Sequence, residues 1–402
     1  MELQIHSCML LCLLITMLLS YNTTTTTTLE PPIPSNVSQW LAFIWTRRCS
    51  AMLSILGSCA IVYIIVINRK RKLSRVHNRL LLSMSCIDIL SSMANVITTS
   101  AIPRGTDPYS YGASGTIGTC NAQGFFLQLG FGAPTYNSML CIHYLLFVKY
   151  RVREKVIAKK IEPFMHAVAI LYPLSTAIAS LFLGLFNPII THCHIAAYPS
   201  ICDIRGIECT RGNNAANYRL FFNGLELIIM FAVNITCMIS LVLFIRKREK
   251  AVSRYQNRRS KSSSGNSSES EDATKQALLY MAAFVLTYIW GSIISAFIYF
   301  NGSHRAFLIV MSYLGAIFNP LQGFFNFIIY IRPRFNSVRR SNKAKSFLWV
   351  VRNTMNPTTN TERSMNMNTE RSMNMIGLRT FTRCSIAEHE FDPPESEIGT
   401  NE

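Results

Sequence analysis

The sequence predicts an all-α membrane protein, a bundle of seven transmembrane helices with the N-terminus outside and the C-terminus in the cytoplasm. Three observations predict it. First, 50% of the 402 residues are hydrophobic and only 15% are charged, a balance foreign to soluble domains. Second, seven predominantly apolar stretches (49–67, 80–103, 120–148, 163–186, 220–245, 276–300 and 306–331) are each close to or above the roughly 20 residues that cross a bilayer as helix. Together they hold two formal charges, Asp88 and Glu226. Third, the basic residues alternate by side: the connections 68–79, 149–162 and 246–275 carry 6, 6 and 9 Lys and Arg and the tail after 331 carries 11, against 6 on the opposite side. That asymmetry is the positive-inside signature. It also accounts for the net charge of +18 without nucleic acid, because the excess sets topology and attracts anionic inner-leaflet lipid. No basic face with aromatic or motif context accompanies it. A soluble enzyme, a nucleic-acid-binding domain and a disulfide-rich secreted module are excluded.

The elements follow in order. Residues 1–20 read as a signal peptide, because 8–19 is an apolar run too short to span, although Glu2 rather than a basic residue precedes it. Residues 21–48, with the threonine run 23–28 and Pro31, Pro32 and Pro34, have little to bury and read as a short disordered ectodomain. Asn22, Asn36 and Asn301 head glycosylation sequons, all on the outer side. Within the membrane domain, 49–331, an ionised Asp88 at bilayer depth costs at least ~2.5–3.5 kcal/mol, so it is expected to face the interior with partners. Pro134 and Pro173 are expected to bend the third and fourth spans, and Gly130 and Gly132 to allow close helix approach. His143 reads as a hydrogen-bonded interior histidine.

Four cysteines fall on the outer side: Cys120 at the outer end of the third span, and Cys193, Cys202 and Cys209 in the loop 187–217. In an oxidising compartment they are expected to form disulfides that tie the loop to the third span. A metal site made of His192, His194 and these cysteines is the alternative, though the spacing matches no zinc motif. Glu226 lies two turns into the fifth span from Tyr218 and reads as a ligand contact or pocket salt bridge, against a lipid-facing, snorkelling carboxylate. Tyr288 and Trp290 of the sixth span read as the aromatic floor of a pocket, against plain interior packing. Lys149, Arg151 and Arg153, with Arg246, Lys247 and Arg248, stand at inner helix ends, where they either dock an acidic partner or only anchor topology. The stretch 258–272, basic and then serine-rich and acidic, reads as unfolded. Residues 332–352 read as a basic amphipathic segment lying on the membrane, and 353–402 as a disordered tail. In that tail 360–367 and 368–375 repeat the same octapeptide, too few copies for a solenoid.

Several residues recur as a set: Gly57-Ser58 in the first span, Asn78 and Asp88 around Leu82-Ser-Met-Ser-Cys-Ile-Asp-Ile-Leu in the second, Cys120-x-x-x-Gly124-Phe-Phe in the third, Tyr218-Arg219 opening the fifth, and Asn319-Pro-Leu-Gln-Gly-Phe-Phe-Asn326 with Tyr330 in the seventh. Over about residues 49–335 the chain resembles G protein-coupled receptors, nearest the cyclic-AMP-receptor-like and secretin/adhesion-like branch. It departs from the rhodopsin family, since the third span ends Leu145-Leu-Phe-Val-Lys-Tyr-Arg151 in place of Asp/Glu-Arg-Tyr, and Gly323 stands where Asn-Pro-x-x-Tyr has its tyrosine. Retinal chemistry is excluded because 306–331 contains no lysine. The resemblance implies a Cys120–Cys202 disulfide, because Tyr198-Pro-Ser-Ile-Cys202-Asp-Ile is similar to the family's loop-cysteine context, with Cys193–Cys209 as a second bridge. It also implies that Asp88 approaches Asn319 in a sodium or water network, a simple helix-packing hydrogen bond being the alternative.

The expected function is a plasma-membrane receptor, not an enzyme, with no cofactor and no metal. It would bind an extracellular ligand between the outer halves of the third, fifth, sixth and seventh spans and pass a helix rearrangement to a heterotrimeric G protein or another cytoplasmic transducer. The alternative is a seven-helix transporter in which Asp88 and Glu226 line the path. The sequence shows neither the internal repeats nor the broken helix pairs usual in transporters.

Overall fold

The computed structural model describes residues 37–106, 111–199, 202, 207–256, 267–299 and 305–341, with Ser346 and Trp349. The signal peptide, the ectodomain up to 36, the sequons at Asn22, Asn36 and Asn301 and the tail 353–402 lie outside the described residues. The long helices are α1 (Val37–Ile67), α2 (Val76–Ile97), α3 (Ile117–Leu129), α4 (Gly132–Val148), α5 (Glu162–Phe182), α6 (Leu225–Gln256), α7 (Ser267–Tyr299), α8 (Arg305–Phe318) and α9 (Gln322–Ser341). A two-stranded antiparallel hairpin, β1 (Phe186–Pro188) and β2 (Cys193–Ile195), follows α5. Short π-helical turns, Ile157–Ile161 and Leu220–Gly224, lead into α5 and α6. Among the described residues, 267–270 at the start of α7 and 334–341 at the end of α9 fall in a second unit.

Among the described residues, six helical stretches are long and apolar enough to cross a membrane: Val37–Ile67, Val76–Ala101, Glu154–Phe182, Ala215–Lys247, Lys275–Ile294 and Phe307–Arg340. The stretch expected as the third span is instead divided into α3 and α4 at Gly130-Phe131. The break sits where the chain is pressed between neighbours. A Cβ on Gly130 would lie 2.6 Å from Ser91 Cβ, and one on Gly132 would lie 2.7 Å from the Ala169 carbonyl and 2.8 Å from Ile87 Cδ1. Pro134 therefore falls in the first turn of α4, where a missing N–H removes no helical bond, rather than bending a continuous helix. Pro173 lies inside α5, which runs unbroken.

Three other boundaries differ from the sequence reading. Helix α1 begins at Val37 rather than near 49, so Arg47 and Arg48 lie inside it. Residues 267–272, read as unfolded, form the start of α7. The last helix carries on through Pro333 to Ser341, so 332–341 extends it instead of starting a separate segment.

The polar side chains of α1 and α2 face inward. Asn78, Ser85, Asp88, Ser92 and Asn95 are buried and recur at helical spacing along one face of α2, opposite buried Ser54 and Ser58 of α1. Large apolar side chains such as Leu56, Met93, Leu171 and Phe182 point outward. This distribution suits a lipid surround, in which apolar burial gives no drive between helices and polar contacts with close packing hold them together. Around the ends of α1 and α2 nearest their connection, Ile61, Ile65, Leu80, Leu81, Met84, Tyr136, Leu140 and Tyr280 belong to the largest apolar cluster among the described residues.

Candidate functional site

The hairpin after α5 is fixed first. Cys120 is bonded to Cys193 and Cys202 to Cys209, so the expected pairs, Cys120–Cys202 and Cys193–Cys209, are replaced. The reason is the hairpin: the register Phe186 with Ile195 and Pro188 with Cys193 folds β2 back against α3, with Cys120 Sγ 3.8 Å from the Phe186 carbonyl. Gln123 strengthens the same junction by accepting from the Cys193 N–H (2.8 Å) and donating to the carbonyls of Ala94 and Thr98. With these four cysteines oxidised, the thiolates of the alternative metal site are consumed, and among the described residues no group of three His, Cys, Asp or Glu converges on a metal position.

Two adjacent arginines of α1 hold the end of α2, and two imidazoles stand on the hairpin. Arg47 donates from Nε (2.9 Å) and Nη2 (2.6 Å) to Asn95 Oδ1, while Arg48 bonds Val96 O and Thr98 Oγ1 and so caps the last carbonyls of α2. His194 stacks on Phe131 with ring centroids 6.1 Å apart, and His192 lies 6.2 Å from His194. Burial, followed by the nearby Arg219 and Arg47 charges, holds His194 down at about 3. Burial, followed by Arg47 and His194, holds His192 well below the usual imidazole range.

Deeper, Glu226 is buried and accepts from Thr135 Oγ1 of α4 at 2.8 Å, leaving Oε2 without a hydrogen-bond partner. It faces the interior rather than lipid. Nearby, Gln128 of α3 donates to Asn223 Oδ1 (2.7 Å) and Thr176 Oγ1 (3.0 Å), joining the third stretch to α5 and to the lead-in of α6. Tyr288 of α7 packs on Phe284 and donates to Gln322 Oε1, within electrostatic reach of both Asp88 and Glu226. Trp290 does not join it. Two residues further along, about 200° around the helix, it stacks on Phe318 at 5.6 Å, so the expected aromatic floor is divided between two faces.

Asp88 is interior, but its partners differ from those expected. Oδ2 accepts from Ser54 Oγ (2.9 Å) and Ser58 Oγ (2.8 Å), and Ser54 Oγ accepts in turn from the Gly323 N–H (2.8 Å). Asn319 sits one turn earlier, in the 3-10 turn Asn319–Leu321, and is exposed. Gly323 takes its place because a bare backbone fits there; a Cβ on it would overlap Asp88 Oδ2 and Ser58 Oγ.

The end of the bundle expected to be the inner one holds a charged latch that the sequence reading missed. Arg79 of α2 and Glu162 at the start of α5 form a two-pronged ion pair, Nε and Nη2 each 2.5 Å from a carboxylate oxygen. Glu162 also faces His166 Nε2 at 3.5 Å, whose Nδ1 bonds the Tyr136 hydroxyl at 2.8 Å. Glu154 accepts from the Val76 N–H at the start of α2 (2.8 Å) and lies 3.9 Å from His143 Nε2. His143 is buried with neither ring nitrogen hydrogen-bonded, in contrast to the bonded histidine expected, and stacks on Phe147. Around this latch Lys149 lies over the Tyr150 ring, and Arg151, Arg153, Arg246 and Lys247 are exposed. Arg248 continues α6, its side chain lying outside the described residues.

A separate groove of about 330 Å³ opens between α2 and α3, lined by Leu90, Met93, Ile97, Thr119 and Phe126. It lies away from the interior polar groups of α4, α6 and α7. Compared with known proteins, the chain matches no family model and none of the curated proteins.

Proposed function

We propose that the chain is a seven-helix receptor-like transducer of the plasma membrane, with α3 and α4 together supplying the seventh crossing. In this reading an extracellular ligand binds between the outer halves of the helices. The resulting change in helix packing is read at the basic inner surface by a heterotrimeric G protein or another cytoplasmic transducer. The observation that carries the proposal is Glu226, a buried carboxylate in the outer half of the bundle with one hydroxyl donor and one open oxygen. A group left so costly to bury is expected at a site of function. Thr135 of α4 holds it and its charge bears on Tyr288 of α7, so a ligand that re-pairs it acts on more than one helix. Nucleotide exchange by the host's own G protein, assayed across candidate ligands, should rise with ligand and be lost in Glu226→Gln at normal surface expression. Exchange indifferent to every ligand and to the chain itself would remove the coupling claim.

A transporter reading draws on one observation, the break at Gly130-Phe131 between Gln128 and Thr135, since interrupted helices form transporter sites. Glu226 and Asp88 would then line the path. Ion or solute flux in proteoliposomes without any cytoplasmic partner favours that reading; no flux together with ligand-driven exchange favours the receptor.

A further inference from the structure

The corner beneath the outer hairpin has an imbalance that the proposed function leaves unused. Arg47 is half-buried and, among the described residues, bonds only the neutral Asn95 amide. Two of its five N–H donors meet one oxygen, and among the described residues no carboxylate is paired with the guanidinium. His194 is half-buried too, and among the described residues its ring makes a stacking contact with Phe131 and no hydrogen bond. Arg47 and the histidines are joined by short contacts: Asn95, which holds Arg47, follows Ala94, whose carbonyl accepts from Gln123, and Gln123 accepts from the N–H of Cys193, the residue between the two histidines, whose rings lie 6.2 Å apart. The Arg47 charge bears on both imidazoles and the Arg219 charge on His194. None of these groups is free to swing away. Asn95 pins Arg47, Phe131 stacks on His194, and the Cys120–Cys193 bond with Gln123 fixes the strand that carries both histidines. Fixed donors around an uncompensated cation form a preorganised acceptor for an oxyanion, which pairs with a guanidinium through short charge-assisted bonds.

We infer that Arg47, His194 and His192 form a binding site for an oxyanion group of an extracellular ligand, phosphoryl or carboxylate, with Arg47 as its chief contact and Arg219 adding attraction. This goes beyond the transducer reading, and its measurement requires no cytoplasmic partner, so a failure of nucleotide exchange leaves its outcome readable. The full chain, purified in nanodiscs, is titrated at constant ionic strength with inorganic phosphate or with acetate, chloride serving as the control, and binding is read by calorimetry and by the unfolding midpoint.

The expected result is saturable binding of one oxyanion, weakened at least tenfold by Arg47→Gln and to a smaller degree by His194→Gln. Arg104→Gln, which alters an exposed arginine of the first outer loop, should leave it unchanged. A response to phosphate alone identifies a phosphoryl group and a response to acetate alone a carboxylate. If Arg47→Gln does not fold, judged by its elution and its midpoint without ligand, His194→Gln and Arg47→Lys, which keeps the charge and loses the fork, carry the comparison. Absence of saturation by about 10 mM of either anion, a Kd weaker than the millimolar range, overturns the inference. So does equal affinity in the wild type, His194→Gln and whichever Arg47 variant folds.

Discussion

Removing Arg79 should cost more stability than removing its partner, and the structure says why. The Glu162 side chain is only 7% exposed and that of Arg79 28%. Arg79→Gln strips the carboxylate of both guanidinium bonds and leaves it buried with His166 at 3.5 Å, and an uncompensated buried charge costs about 3–5 kcal/mol. Glu162→Gln leaves a guanidinium that still donates to the Leu73 carbonyl and reaches water more easily, so the loss is nearer the ~1.5–3 kcal/mol of a charged hydrogen bond. The double variant removes both charges and should be less destabilised than the sum of the two, with a coupling energy of about 1–3 kcal/mol. Reversible unfolding of the three variants in mixed detergent micelles measures each quantity. If the pair also restrains the inner helix ends, basal nucleotide exchange should rise in step with the loss of stability. A cost for Arg79→Gln below that for Glu162→Gln, or strict additivity in the double variant, would refute the reasoning.

Three further outcomes are expected. Non-reducing peptide mapping should recover Cys120 joined to Cys193 and Cys202 to Cys209, and Cys193→Ala, which opens a loop of sequence separation 73, should cost ~2–4 kcal/mol; a Cys120–Cys202 peptide contradicts both. His194, held at about 3 in the folded chain, takes up its proton near 6.5 once unfolded. The unfolded chain therefore binds more protons between those values, and stability should fall as pH drops below about 6.5; thermal unfolding from pH 7.5 to 5 should show the decline and His194→Gln should lessen it, His192, which is also held down, supplying part of the remainder, whereas a flat wild-type profile rejects neutral buried imidazoles. Neutralising Lys149, Arg151, Arg153, Arg246, Lys247 and Arg248 together should abolish signalling at normal surface level, an effect mimicked by added salt, which screens exposed charges beyond about 10 Å at 0.1 M; unchanged signalling leaves topology as their role.

The membrane class was legible because apolar length and basic asymmetry are properties of composition, which survive any error of one turn. The latch was not, for a reason of boundaries. Reading the second span from Leu80 and the fourth from Pro163 left Arg79 and Glu162 each one residue outside, where they counted as loop charges. One signal was available, an acidic residue on the strongly basic inner side, directly flanking a span. Arg47 was hidden in the same way, because the apolar run from 49 conceals a helix that starts at Val37 and carries the guanidinium inward. Asp88 was placed correctly in the interior, but its partner was taken from motif resemblance. The identity of residue 323, a glycine, was the better guide, since the smallest residue permits the closest approach. The disulfide pairing depended on the strand register of the hairpin, a three-dimensional fact that cysteine spacing does not encode.

The π turn Ile157–Ile161 separates the two acidic anchors of the inner end, Glu154 on the Val76 N–H and Glu162 on Arg79. A π turn holds more residues per revolution than an α turn, so deleting one residue between 157 and 161 should let the segment relax into ordinary α-helix. Each residue of helix turns the chain by about 100° and advances it 1.5 Å. The two carboxylates would then no longer reach α2 from the same side, and one anchor would have to be given up. This stretch should therefore tolerate changes of side chain far better than changes of length.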